Sequence, residues 1–137
     1  MIVIDQKHKE QIRDWVALQL GIDKLGGDIF TTIGFVKKEQ LVGGLVLHEH
    51  NGFMIEITGA SIDPTFIDRS GIRAACNYVF KQLGLVRINA RVAKKNKKAR
   101  NFVERLGFKQ EGCARAAYDG EQDAIIYGML RSECRWI

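Results

Sequence analysis

At 137 residues, with 46% hydrophobic and 27% charged residues, the chain is sized for one domain spanning 1–137 with a core that needs no staples. No run approaches the roughly eighteen apolar residues of a membrane span, and the opening MIVIDQKHKE lacks the basic start and long apolar stretch of a signal peptide. A net charge of +5 favours an anionic partner: a nucleotide cofactor, an acidic protein surface or nucleic acid.

Residues 1–4 read as a short apolar strand, and Asp5 is placed to cap the helix after it. Ile12, Trp15, Val16 and Leu20 recur at helical spacing, which predicts an amphipathic helix over 6–20. Gly21, Gly26 and Gly27 interrupt the pattern, with room for a second short helix between them. Residues 30–36 and 41–48 are rich in β-branched and large apolar residues, joined by the polar turn at 37–40. Asn51-Gly52 is a strong hairpin signal, followed by a strand at 53–60 with Phe53, Ile55 and Ile57 on one face and Met54, Glu56 and Thr58 on the other. Gly59, near the end of that strand, marks a bulge or a close approach. After a loop at 61–69, Ile72, Ala75, Cys76, Val79, Phe80 and Leu83 form a helical stripe, capped by Ser70 or Asp68 and ended by Gly84.

Residues 85–92 alternate, Val86, Ile88, Ala90 and Val92 against Arg87, Asn89 and Arg91. Strand, helix and strand here make a crossover, so this strand pairs parallel with the one at 53–60. Residues 96–106 place Ala99, Phe102, Val103 and Leu106 on one helix face, and 108–118 with 122–130 form a hairpin around Asp119-Gly120. The order is β-α-(α)-β-β-β-α-β-α-β-β, an α/β chain with a mixed, mostly antiparallel central sheet of about six to seven strands and helices on both faces. Cys76, Cys113 and Cys134 match no metal motif, so no metal is expected, and an odd count without an export signal fits reduced thiols in a cytoplasm. Trp136 and Ile137 carry apolar bulk past the last strand and are expected to pack back on the sheet; the alternative is a homodimer contact instead of a monomer.

This order, with NKKARNFVERLGFKQEG at 96–112 and the alternating strand before it, resembles the GNAT superfamily of acyl-CoA N-acyltransferases, in particular the branch of ribosomal-protein and small phage-encoded acetyltransferases. The resemblance is strong from 85 to 112 and rests on element order from 1 to 50. It implies acetyl-CoA as co-substrate, with pantetheine against the exposed strand edge at Ala60, Ser61 and Ile62. It also implies a pyrophosphate on the opening turn of the next helix, at Arg69, Ser70, Gly71, Ile72 and Arg73. Gly71 matches the family's motif there, whereas Asp68 replaces Gln or Arg and Arg73 replaces a small residue. Either Arg69 and Arg73 grip the pyrophosphate by charge, or the loop is reshaped and cofactor binding is weakened. Asn96 fits the family's cofactor-side asparagine, which is equally a good helix cap, and Ala99 the small residue one turn on.

Amine acylation needs a proton acceptor for the amine, a donor for the developing oxyanion and a proton for the sulfur. Glu56 is the first candidate base, either in the cleft or merely facing solvent, and His48 the second. Val103 occupies the place of the family's tyrosine acid, leaving Tyr118 as a substitute, and a backbone amide near 60–62 serves as oxyanion donor. The acceptor is an amine of a protein or small molecule. The alternatives are a relative that modifies nucleic acid, in line with the basic charge, and a non-catalytic module that keeps the fold.

Overall fold

The alternating segments assemble into one seven-stranded sheet. In the computed structural model, which describes residues 1–4, 6–23 and 25–137, the strands are β1 (Ile2–Val3), β2 (Thr31–Lys37), β3 (Gln40–His48), β4 (Met54–Ser61), β5 (Arg87–Ala93), β6 (Lys109–Ala114) and β7 (Ala124–Leu130), in the sheet order β1-β2-β3-β4-β5-β7-β6. Helices are α1 (Lys9–Leu20), α2 (Arg69–Asn77) and α3 (Lys97–Leu106). Only β4 and β5 pair parallel; every other neighbouring pair is antiparallel. The mixed, mostly antiparallel sheet and the parallel crossover are as the sequence predicts.

Strand alternation divides the apolar residues between two faces. On one face α1 packs Ile12, Val16 and Ala17 against Phe30 and Val46. It lies so close that a Cβ at Gly44 would meet Val16 Cγ2 at 2.8 Å and Ile12 Cγ2 at 3.1 Å. The opposite face carries the larger core, with Ile33, Phe35, Leu47 and Ile55 of the sheet against Ala75, Val79 and Phe80. There α3 covers Ala90, Val92, Ile125 and Tyr127 through Ala99 and Val103. Helices therefore do cover both faces. Gly59 lies in unbroken register with Leu45; it marks no bulge but a close approach, since a Cβ there would meet Leu45 Cδ2 at 2.7 Å.

Several elements differ from expectation. The first helix begins at Lys9 with His8 at its N-cap, and the capping role assigned to Asp5 lies outside the described residues. No second helix occurs among the described residues of 21–27. Asn51-Gly52 belongs to a five-residue loop, 49–53, in which Asn51 Oδ1 accepts from the amides of Phe53 and Met54. Phe53 consequently stays outside β4 and exposed. The apolar stripe predicted as one helix is α2 followed by a π-helical turn, Tyr78–Gln82. Leu83 N donates to Tyr78 O there, five residues back. The extra residue in the turn lets Val79 and Phe80 both reach the core. Residues 115–123 form a long loop rather than a tight hairpin; Asp119 Oδ1 accepts from the amides of Glu121 and Gln122. The tail packs back as expected, with Trp136 Nε1 donating to Leu106 O at 2.8 Å.

Candidate active site

Parallel pairing of β4 with β5 holds at Met54↔Arg87, Ile55↔Ile88 and Glu56↔Asn89 and stops there. Both strands run on, β4 to Ser61 and β5 to Ala93, so the facing edges part into a wedge. Past Glu56, β4 presents backbone groups toward β5 that no ladder satisfies, a ready partner for an extended ligand. A cleft of about 1110 Å³ fills the wedge. It reaches α3 at Ala99 on one side of the sheet and Gln19 and Leu20, at the end of α1, on the other. It therefore passes through the plane of the sheet.

Of the residues expected to bind cofactor, Ala60, Ser61, Ile62, Ile72, Asn96 and Ala99 all border this cleft. Asn96 caps α3, its Oδ1 accepting from Ala99 N at 3.1 Å; the cap and the cleft position coexist. Arg69, Ser70, Gly71 and Arg73 do not border the cleft. Gly71 is buried and its amide donates to Asp68 Oδ1 at 2.9 Å, so a carboxylate already occupies the opening turn of α2. Ser70 borders a separate cavity of about 360 Å³ beside Phe35 and Lys37. Arg69 and Arg73 are exposed and, among the described residues, make no hydrogen bond or ion pair.

Between the α2 start and the wedge lies Phe66. Its ring is 5.4 Å from that of Phe35 and 5.8 Å from that of Phe102 on α3. It fits there because residue 43 has no side chain; a Cβ at Gly43 would stand 2.2 Å from Phe66 Cδ2. Replacing Asp68 by Ala should cost α2 roughly 1 kcal/mol through the lost cap. A lower midpoint in thermal unfolding is the expected result, and an unchanged midpoint would show that the cap contributes nothing.

The catalytic candidates lie at the apex of the wedge, on the α1 face. His48 and Glu56 are cross-strand partners and are 4% and 7% exposed. His48 Nε2 is 2.8 Å from Thr58 Oγ1 and 3.7 Å from Glu56 Oε2, while its Nδ1 is buried without a hydrogen-bond partner. Glu56 Oε2 accepts from Arg91 Nε at 3.2 Å and lies 3.1 Å from Arg91 Nη2. Arg91 borders the cleft; Glu56 and His48 stand immediately behind it. Tyr118 borders the cleft as well, with its phenol held above the ordinary value by burial and by the Asp119 carboxylate. It is therefore protonated at neutral pH. Val103, in the place of the expected acid, also borders the cleft but is apolar and packs against the α3 core.

Arg91 and Thr58 were not singled out in the sequence. Alternation did put Arg91 on the same strand face as Asn89, but its link to Glu56 needs the register between two strands. Cys76 borders the cleft as a buried thiol, pushed up to about 12 by burial and by Cys134 beside it, which leaves little thiolate for nucleophilic work. Among the described residues, no group of three or more His, Cys, Asp or Glu is arranged to hold a metal ion.

A profile described as "Acetyltransferase (GNAT) domain" matches residues 3–109. Among solved structures, mutant forms of the spermidine/spermine N-acetyltransferase SpeG from Vibrio cholerae superpose with a TM-score of 0.74 at 20% identity, covering 96% of this chain and 95% of that one. The Vibrio cholerae spermidine N-acetyltransferase in complex with CoA and spermine gives 0.72 at 19% identity over 97% and 96%. A probable acetyltransferase gives 0.73 at 22% identity over 96% and 94%. No curated protein sequence matches the chain.

Proposed function

Because the chain belongs to the GNAT acetyltransferase family, we propose that it transfers an acetyl group from acetyl-CoA to an amine, by direct attack in the wedge between β4 and β5. The observation that carries this reading is the end of parallel pairing at Glu56↔Asn89 while both strands continue. An acyl-CoA supplies an acyl group already activated as a thioester with a readily departing thiolate.

The chain's own contribution is to bind, orient and move protons. The unpaired edge of β4 at Ala60 to Ile62 holds the pantetheine arm and places a backbone N–H against the carbonyl oxygen, where negative charge develops. Arg69 and Arg73 take the phosphates by charge, because Asp68 already uses the Gly71 amide. Lys98, which borders the cleft at the start of α3, adds favourable potential.

The amine arrives from the α1 face as an ammonium. Glu56 takes one proton, directly or through a water, and the neutral nitrogen forms the new C–N bond as the C–S bond breaks. The Tyr118 phenol provides the proton for the sulfur, and the amide nitrogen releases its second proton to solvent. A similar structure holds CoA and spermine together, which supports an amine acceptor alongside an acyl-CoA.

A thermal shift tests the reading. Acetyl-CoA at about a hundred times its Kd should add roughly 2.7 kcal/mol to native stability and raise the Tm. Arg73→Ala should weaken the cofactor roughly fivefold. A flat response at millimolar acetyl-CoA would remove the acyl-transfer reading and leave a binding module on the same scaffold.

A further inference from the structure

We propose that the acceptor is a zwitterion, a small molecule of the α-amino-acid type whose carboxylate lies next to the reacting amine. Arg91 takes its carboxylate and Glu56 its ammonium. This rests on the wedge being the site of transfer, as argued above, and adds what enters it.

The first ground is the Glu56–Arg91 pair itself. It spans the two strands where they part, since Glu56 is in the last paired position of β4 and Arg91 lies two residues beyond Asn89 on β5. The guanidinium approaches one carboxylate oxygen only, through Nε and Nη2. Glu56 Oε1 and Arg91 Nη1 have no hydrogen-bond partner among the described residues. Arg91 is 47% exposed at its side chain, whereas Glu56 is nearly enclosed. The cation thus faces the incoming molecule from the cleft, with the anion directly behind it.

The second ground is the charge of the walls. Among the described residues, the charged side chains bordering the cleft are Asp63, Arg91, Lys98, Glu104 and Arg105, three bases against two acids. Asp63 is already committed, to Lys37 Nζ at 3.1 Å and to Thr65. Glu104 is then the one acid left on these walls against Arg91, Lys98 and Arg105, so a polyamine, with several ammonium groups along its length, meets more cations than anions here.

The third ground is what each acceptor leaves behind. A simple alkylammonium that displaces Arg91 from Glu56 puts two like charges in contact, which is unfavourable in a partly enclosed site. A zwitterion exchanges partners instead: its ammonium replaces the guanidinium on Glu56, and its carboxylate replaces Glu56 on the guanidinium, where the planar fork suits it. No charge is stranded.

The test measures CoA thiol release with acetyl-CoA and, one at a time, the twenty amino acids, their methyl esters, spermidine and n-butylamine. A calorimetric titration of the same compounds without acetyl-CoA runs in parallel. At least one amino acid should exceed its own methyl ester and spermidine by about tenfold or more in kcat/KM, since the ester removes only the carboxylate. Arg91→Met should erase that preference chiefly through KM, and Arg91→Lys should restore part of it. Thermal unfolding of both variants establishes that they are folded. Equal or better use of the ester or of spermidine overturns the proposal, as does use of n-butylamine with no amino acid used. If acetyl-CoA itself produces no thermal shift, the transfer reading fails, and calorimetry still decides this one. Amino-acid binding that is lost in Arg91→Met upholds it, and no amino-acid binding refutes it.

Discussion

Exchanging Glu56 for Gln is expected to lower turnover about a hundredfold or more while leaving the acetyl-CoA thermal shift unchanged. The magnitude follows from the usual contribution of a positioned general base, roughly 10²–10⁴-fold, or at least about 2.7 kcal/mol of barrier. The direction follows from the site. Glu56 is at the apex of the wedge, nearly buried, facing the α1 side proposed as the amine's entrance, while the β4 residues proposed to hold the cofactor begin four positions further on. A Gln keeps the volume and can still accept from Arg91, so the packing around His48 and Thr58 is undisturbed. What it cannot do is take a proton. The effect should appear in kcat more than in KM for acetyl-CoA, and the loss should shrink at high pH, where the amine arrives already neutral. A variant that turns over at the parent rate would remove Glu56 from the chemistry. His48, 3.7 Å from Glu56 Oε2, would then be the remaining candidate.

The largest loss of stability is expected at Phe80. Its ring is fully buried in the core shared by α2, the π turn and the sheet. Phe→Ala substitutions in such places cost about 3–5 kcal/mol, through lost transfer energy and the cavity left behind. Against a native stability of roughly 5–15 kcal/mol, that leaves a marginal protein. For a chain of this size the Tm should fall by roughly 10–20 °C, and a urea midpoint should move with little change in slope. The site resists collapse, since Val79 beside it is equally buried and the turn geometry is set by the Leu83 N to Tyr78 O bond. A cost under about 1 kcal/mol would mean that the π turn relaxes to an ordinary helix and refills the space. Because the same core backs the wedge wall at Cys76 and Ile88, Phe80→Ala should also weaken acetyl-CoA binding.

The basic patch shows how far charge in a sequence can be interpreted. Eight Lys and Arg between 87 and 105 read in the sequence either as a solvated face or, at a helix start, as a phosphate contact. In the folded chain several of them are committed to structure. Arg87 pairs with Glu111, and Arg100 donates to Tyr127 Oη and to Lys94 O. Arg91 holds Glu56. Lys98 and Arg105 are the ones that border the cleft without being consumed by these pairs.

Local rules already contained most of the elements. The alternation of β5, the stripe of α3 with its Asn96 cap and the terminating Gly107, and the crossover that forces β4 and β5 parallel all depend on backbone periodicity and solvent exposure. Residues a few positions apart decide these. The common cleft of Ala60, Ser61, Ile62, Asn96 and Ala99 was implied by the resemblance to the GNAT family and not by local period, and the structure does bring these residues to one cleft. Tertiary contact decided the rest. Where parallel pairing stops, that the Arg91 guanidinium reaches back across 35 positions to Glu56, that the Asp68 carboxylate fills the α2 start, and that Phe66 lies over Gly43 are matters of register and packing between distant segments. No local period encodes them, because each depends on how two elements meet. The fold was therefore legible in the chain, whereas the Glu56–Arg91 charge arrangement came into being only when the sheet closed around its gap.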